Sequence, residues 1–224
     1  MGRCSRRGSL KAAFRRWYQN APFTALVVVL PLLVSGCGGG DSTRNTLTAS
    51  NTDKASSSAL SVFDLSGHPV DPFAAPGAKA TVFIFISTDC PISNRYAPEI
   101  RRVEEEFAAS GVRFWLVYPD ADASSDAVQK HIKDYRLPQQ ALRDPRQALV
   151  RLAQARVTPE GAVFLPGGRL IYHGRIDNRY ADLGKERPEA TQHELEEVLK
   201  AIVQGRPVPY STAKAIGCSI PEPK

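Results

Sequence analysis

The chain has 224 residues, 42% of them apolar and 23% charged, with four cysteines, enough for one well-packed core plus extensions. Its net charge of +6 does not point to nucleic acid: six of the 29 basic residues fall in residues 1–36, which hold no acid, and the rest of the chain balances at 23 basic against 23 acidic residues. No phosphate-cradling glycine loop or basic-aromatic patch is present in the sequence, so nucleic acid is not an expected partner.

In chain order, residues 1–36 read as an export signal. Arg3, Arg6, Arg7, Lys11, Arg15 and Arg16 precede the apolar run Phe23–Val34, which is shorter than the roughly 20 residues a membrane-spanning helix needs. Ser5–Lys11 is similar to a twin-arginine export signal, although Ser9 replaces the usual apolar residue, and the export route stays open. The junction Val34-Ser35-Gly36-Cys37 resembles the bacterial lipoprotein lipobox. That resemblance implies cleavage before Cys37, lipid on its sulfur, and a lipid-anchored protein on the extracytoplasmic side of the bacterial cell envelope. Residues 37–59 open with Cys37 and three glycines and continue rich in Ser, Thr, Asn and Asp, a composition suited to a flexible tether. The folded domain is expected over residues 60–224, ending in a Pro-rich tail.

Within that domain Val62–Leu65 reads as a short strand followed by a turn. Thr81–Ile86 is a continuous β-rich apolar run, the pattern of a buried central strand. From Ser93 to Ala109 the apolar residues Tyr96, Ile100, Val103 and Phe107 recur at helical spacing, and Gly111 stops the helix. Val112–Tyr118 is a second strand, Ser124 or Ser125 caps a helix running to about Tyr135, and Arg146–Ala153 is a shorter helix. Ala162–Leu165 and Leu170–His173 flank Gly167-Gly168 as a hairpin, and Gln192–Val203 is an amphipathic helix. Strands alternating with helices, then a hairpin and a last helix, predict an α/β domain with a mixed sheet.

Removing the leader takes Cys4, and the anchor takes Cys37, which leaves Cys90 and Cys218 in an oxidising compartment. Cys90 stands where a buried strand empties into a short loop and a helix starts. Free N–H groups at a helix N-terminus favour a thiolate there, while the adjacent Asp89 opposes it. The bland alternative is an inert cysteine at a strand end.

The segment Ile86–Pro98 resembles the active-site turn of thioredoxin-fold proteins, with Pro98 eight residues after the first cysteine. Val157-Thr158-Pro159, just before the hairpin, looks like the cis-proline loop that faces the active cysteine in that fold. Residues 60–220 are similar to the redoxin branch, which includes the alkyl hydroperoxide reductase and thiol-specific antioxidant group. Gly168–Asp177 and Ile216-Gly217-Cys218-Ser219-Ile220 resemble a peroxiredoxin-like subgroup. The resemblance implies a thioredoxin-like fold, a central mixed β-sheet flanked by helices. It implies Cys90 as nucleophile, Thr158 and Pro159 orienting a partner's backbone, no cofactor, a thiol or disulfide protein or a peroxide as substrate, and an electron-donor protein.

Two departures bear on the chemistry. Ser93 replaces the second cysteine of the Cys-x-x-Cys motif, so it serves as a hydrogen-bond donor to the thiolate or, more simply, as a helix cap. Cys218, on a tail expected to be mobile, is the candidate resolving thiol, since closing a long loop costs little more than closing a short one. The peroxidase pattern is partial: Ser87 fits its hydroxyl position, Phe83 stands where a proline is expected, and Arg95 and Arg156 are the candidate arginines. Three functions follow: a thiol–disulfide oxidoreductase, a thiol peroxidase, or a non-catalytic binding module. Elsewhere, Asp120–Asp126 departs from a calcium loop at Ser125 and His131. His68, His131, His173 and His193 show no ligand spacing. Arg175, Asp177 and Arg179 alternate as on one strand face, where a surface ion pair is the default.

Overall fold

The apolar run at Thr81–Ile86 forms β1 (Ala80–Phe85), with all six residues buried. It is the third strand of a six-stranded sheet in a computed structural model that describes residues 60–223. The expected leader, Cys37 and the tether lie outside the described residues. Next to β1 lie β2 (Val112–Tyr118), parallel to it, and β3 (Ala141–Arg143), parallel to β2. On the other side the sheet turns antiparallel. A two-residue strand, β4 (Val157–Thr158), precedes β5 (Glu160–Leu165), which pairs with β1 and with β6 (Arg169–Gly174).

The helices are α1 (Pro91–Ala108), α2 (Ser125–Tyr135), α3 (Ala148–Ala153) and α4, which comes later in the chain (Glu194–Val203). The expected helix starts hold to within two residues, and Ser124 caps α2 by accepting a hydrogen bond from the Ala127 N–H at 3.1 Å. Alternate strand residues feed two cores. Val82, Ile84, Leu116 and Tyr172 pack with α1, α2 and α4 residues such as Ile100, Val128 and Leu199. Phe83, Phe85, Val117 and Phe164 pack with Leu149 and Val150 of α3. Phe83, Phe164 and Phe73 meet edge to face at 5.3–5.5 Å.

The short elements were not visible in the sequence. Beyond β6 come a small hairpin, β7 (Tyr180–Asp182) with β8 (Lys185–Glu186), and then two pieces of the C-terminal segment, β9 (Thr212–Ala213) and β10 (Cys218–Ser219). β9 extends the sheet parallel to β6, and β10 pairs antiparallel with β4. The tail is therefore docked rather than mobile. Gly174, at φ +146°, permits β9 to come so close that a Cβ there would sit 2.0 Å from the Ala213 oxygen.

The expected surface ion pair along residues 175–179 is also corrected, because this stretch is not a strand. Arg175 pairs with Glu194 of α4, Asp177 is buried and accepts from the Tyr96 hydroxyl of α1 at 2.6 Å, and Arg179 faces Glu186. The segment ties α1, α4 and the β7–β8 hairpin together.

Candidate active site

Strand β1 delivers the chain to Ser87, and the loop 87–90 turns it into α1, so Cys90 stands at the helix N-terminus. Pro91 follows at a position where a helix needs no N–H donor. Cys90 itself is the cap: its backbone is extended (φ −86°, ψ 109°) and its sulfur accepts the Ser93 backbone N–H at 3.4 Å. This corrects the reading of Ser93 as a cap. Ser93 lies inside the first turn, with its side chain buried beside the sulfur.

The Thr158–Pro159 bond is cis, as the resemblance implied, and β4 brings it against Cys90. The Cys90 thiol donates to the Thr158 carbonyl at 3.0 Å. Antiparallel pairing places Cys218 of β10 directly opposite Thr158. Cys90, Thr158 and Cys218 thus meet at one point although they are far apart in sequence. Both cysteines are free, Cys90 buried at 1% exposure and Cys218 half-buried.

The electrostatics separate the two thiols. Burial pushes Cys90 up, but the Cys218 thiol, the Ser93 hydroxyl and N–H, and the Thr158 side chain act the other way and bring it from its ordinary 9 to about 7. Cys218 is pushed up to about 11, first by burial and then by its hydrogen bond and charge interaction with Cys90. A donor stabilises the anion beside it and is itself made harder to ionise. At neutral pH the pair therefore holds a thiolate-forming sulfur at Cys90 and a protonated thiol at Cys218.

Among the described residues no hydrogen bond joins either candidate arginine to the sulfur. Arg95 is paired with Glu186 at 2.6 Å, and Arg156 is exposed, its carbonyl accepting from the Ile220 N–H at 3.0 Å. Ser87 accepts the Asp89 N–H at 3.4 Å. His131, read from sequence only against a calcium loop, is a core histidine between the Tyr118 hydroxyl (2.9 Å) and Asn94 Oδ1 (2.7 Å). His193, which has no ligand spacing in sequence, comes within 4.8 Å of Glu99 and Asp177. Arg102 already holds Glu99 (2.6 Å), and Tyr96 and the Arg179 N–H hold Asp177, so this cluster is a knot between α1 and α4.

Sequence reasoning missed the groups that hold the tail at the site: Gly217, Ile220 and Gln147, whose side-chain amide donates to the Pro221 carbonyl at 2.6 Å. The run Ile216-Gly217-Cys218 was visible, but nothing in it names Thr158 as its neighbour.

The family model described as Redoxin matches residues 50–192. No curated protein matches the chain. Among solved structures, an uncharacterized conserved protein from Geobacillus kaustophilus superposes with a TM-score of 0.60 at 22% identity, over 72% of this chain and 87% of that one. A hypothetical protein from Sinorhizobium meliloti 1021 gives 0.58 at 24% identity, over 71% and 88%. A thioredoxin-like protein from Porphyromonas gingivalis gives 0.50 at 18%, over 65% and 90%. At these identities the likeness is one of fold, and it is the thioredoxin-like fold.

Proposed function

The chain belongs to the Redoxin family, and from that membership and the geometry at Cys90 we propose a thiol–disulfide oxidoreductase with Cys90 as nucleophile and Cys218 as resolving thiol. One observation carries the reading: Cys218 lies across Thr158 from Cys90, and its thiol helps to bring Cys90 down to about 7. The Cys90 thiolate attacks one sulfur of a partner's disulfide. That S–S bond breaks, a new one forms to Cys90, and the other partner sulfur leaves as a thiolate. Cys218 then gives up its proton and attacks Cys90 Sγ, forming the Cys90–Cys218 bond and releasing the second partner thiolate. Two electrons pass from the Cys90–Cys218 dithiol to the partner, and a donor dithiol protein restores the pair.

The same contacts time the second step. While Cys90 is a thiolate, it helps to keep Cys218 protonated. Once Cys90 is tied up in a mixed disulfide, its charge and its hydrogen bond to Cys218 are gone, and Cys218 ionises more readily. Ser93 supplies a second donor to the thiolate, and Thr158 with Pro159 orients the partner's backbone.

The peroxidase alternative calls for an arginine beside the sulfur; Arg95 is paired with Glu186, and Arg156 is exposed. The lipobox-like junction supports a domain exported from the cytoplasm and anchored through lipid on Cys37.

The test is to treat the folded, reduced protein with a model disulfide and map the products by mass spectrometry without reduction. Modification of Cys90 followed by a Cys90–Cys218 linkage is expected, with Cys90→Ser abolishing the reaction. An unmodified Cys90 in folded protein would overturn the oxidoreductase reading. Fast consumption of hydrogen peroxide with a sulfenic acid on Cys90 would favour the peroxidase.

A further inference from the structure

Cys90 has a reactive environment but almost no exposed surface, and what closes it off is the chain's own tail. β10 lies along the edge of β4, the Ile220 N–H donates to the Arg156 carbonyl at 3.0 Å, and Gln147 holds the Pro221 carbonyl. Ile216 and Cys218 pack on one core and Ile220 on the other. The fit admits nothing between tail and loop: a Cβ on Gly217 would stand 2.2 Å from the Thr158 oxygen.

We propose that residues 215–223 are a displaceable internal strand occupying the edge of β4 that a partner must use. Tail and partner then exclude one another at Cys90. This rests on the oxidoreductase reading and deepens it by saying how the partner enters and leaves. The strap leaves the main sheet at β9 and ends on the separate two-stranded pair of β10 with β4. Its root is β9, where the His173 N–H donates to Ser211 O and the Arg175 N–H to Ala213 O, both at 3.2 Å. Beyond Ala213 come exposed Lys214 and then only the two-residue strand β10 with the contacts just named. An element held by so few backbone bonds opens locally without global unfolding.

An extended partner segment carrying a disulfide takes β10's place when the tail lifts, and Cys90 attacks it. When the tail returns, Cys218 attacks Cys90 Sγ, the bond to the partner breaks, and the partner's sulfur leaves as a thiolate while β10 reclaims the edge. Resolution and ejection are one movement. An incoming strand in the tail's register meets the same Thr158 oxygen, so the residue ahead of the partner's cysteine has to be small.

The test uses the full-length chain with Gly217→Val, which keeps Cys218 but cannot dock, beside a chain ending at Lys214. Labelling of Cys90 by a polyethylene-glycol maleimide, followed by peptide mapping and compared at the same thiolate fraction of each variant, is expected to accelerate about tenfold or more in each variant that melts like the parent. An unchanged rate in such a variant overturns the proposal. The wild type answers independently by hydrogen exchange: after Cys90 is labelled, the amides of residues 216–220 should lose protection, and unchanged protection overturns the proposal as well.

On the truncated chain, a peptide disulfide with glycine before its cysteine should exchange about tenfold faster than one with valine, and equal rates would overturn the shared edge. Maleimide labelling needs no disulfide exchange. If labelling responds to the tail while Cys90 ignores every disulfide, the strap stands and the oxidoreductase reading falls.

Discussion

Cys90 gains its character from neighbouring donors. Ser93 supplies a backbone N–H and a buried hydroxyl, and Cys218 a thiol. The rate of alkylation of Cys90 by iodoacetamide should rise about tenfold per pH unit and level off above pH 7. Ser93→Ala and Cys218→Ala each remove a donor, so each should move that inflection to higher pH. Stability follows with a definite sign. The folded chain ionises Cys90 near 7 and the unfolded chain near 9, so the group's contribution is complete above pH 9 and is lost as pH falls through 7. In denaturant titrations, the stability difference between the reduced protein and Cys90→Ser should therefore grow from pH 7 to 9. The sequence pointed to Cys90 because a strand end meeting a helix start is a local pattern. It misassigned Ser93 because capping depends on which side chain turns back toward the helix, and there the sulfur does.

The link between β3 and α3 shows how an element near the site is held. Asp144 is fully buried and accepts the N–H groups of Ala148, Leu149 and Val150 at 2.7, 2.9 and 3.0 Å. α3 is only six residues long and its preceding Gln147 supplies no side-chain cap, so this carboxylate is what satisfies its first turn. Asp144→Ala should lower the unfolding free energy by about 2–4 kcal/mol, measured in urea, because buried donors are left without an acceptor. Asp144→Asn should lose less. Gln147, positioned by the same turn, holds the tail at Pro221. The sequence showed this short helix over Arg146–Ala153 but not the carboxylate that holds its first turn. A lone aspartate carries no periodicity, whereas β1, β2, α1 and α4 announce themselves through runs and repeats of apolar residues.

At the scale of the whole chain, the described residues form a mixed sheet with a core on each face and a cysteine pair beyond the end of the central strand β1, and the entire net charge lies in residues 1–36. With 23 basic and 23 acidic residues after position 36, that part of the chain has little net charge with which to bind an anionic membrane surface. Its proposed membrane association therefore depends on lipid at Cys37. Cys37→Ser should move the protein from the membrane fraction to the soluble fraction, while wild type stays with membranes through a high-salt wash. Wild type released by salt would refute the lipid anchor.

The sequence by itself determined an α/β class of fold, the order of the long elements and the position of Cys90, and its resemblance to thioredoxin-fold proteins implied the cis-proline loop. The first three are written in local patterns: buried apolar runs, helical spacing, and a strand end that meets a helix start. Only the tertiary structure decided that Cys218 lies on a docked strand opposite Thr158, that Gly217 lets the tail approach so closely, and that the two thiols differ in acidity. Those are properties of chain segments far apart in sequence. Strand pairing at β4 and close backbone approach depend on where the chain returns, and a two-residue strand leaves no signal of its own.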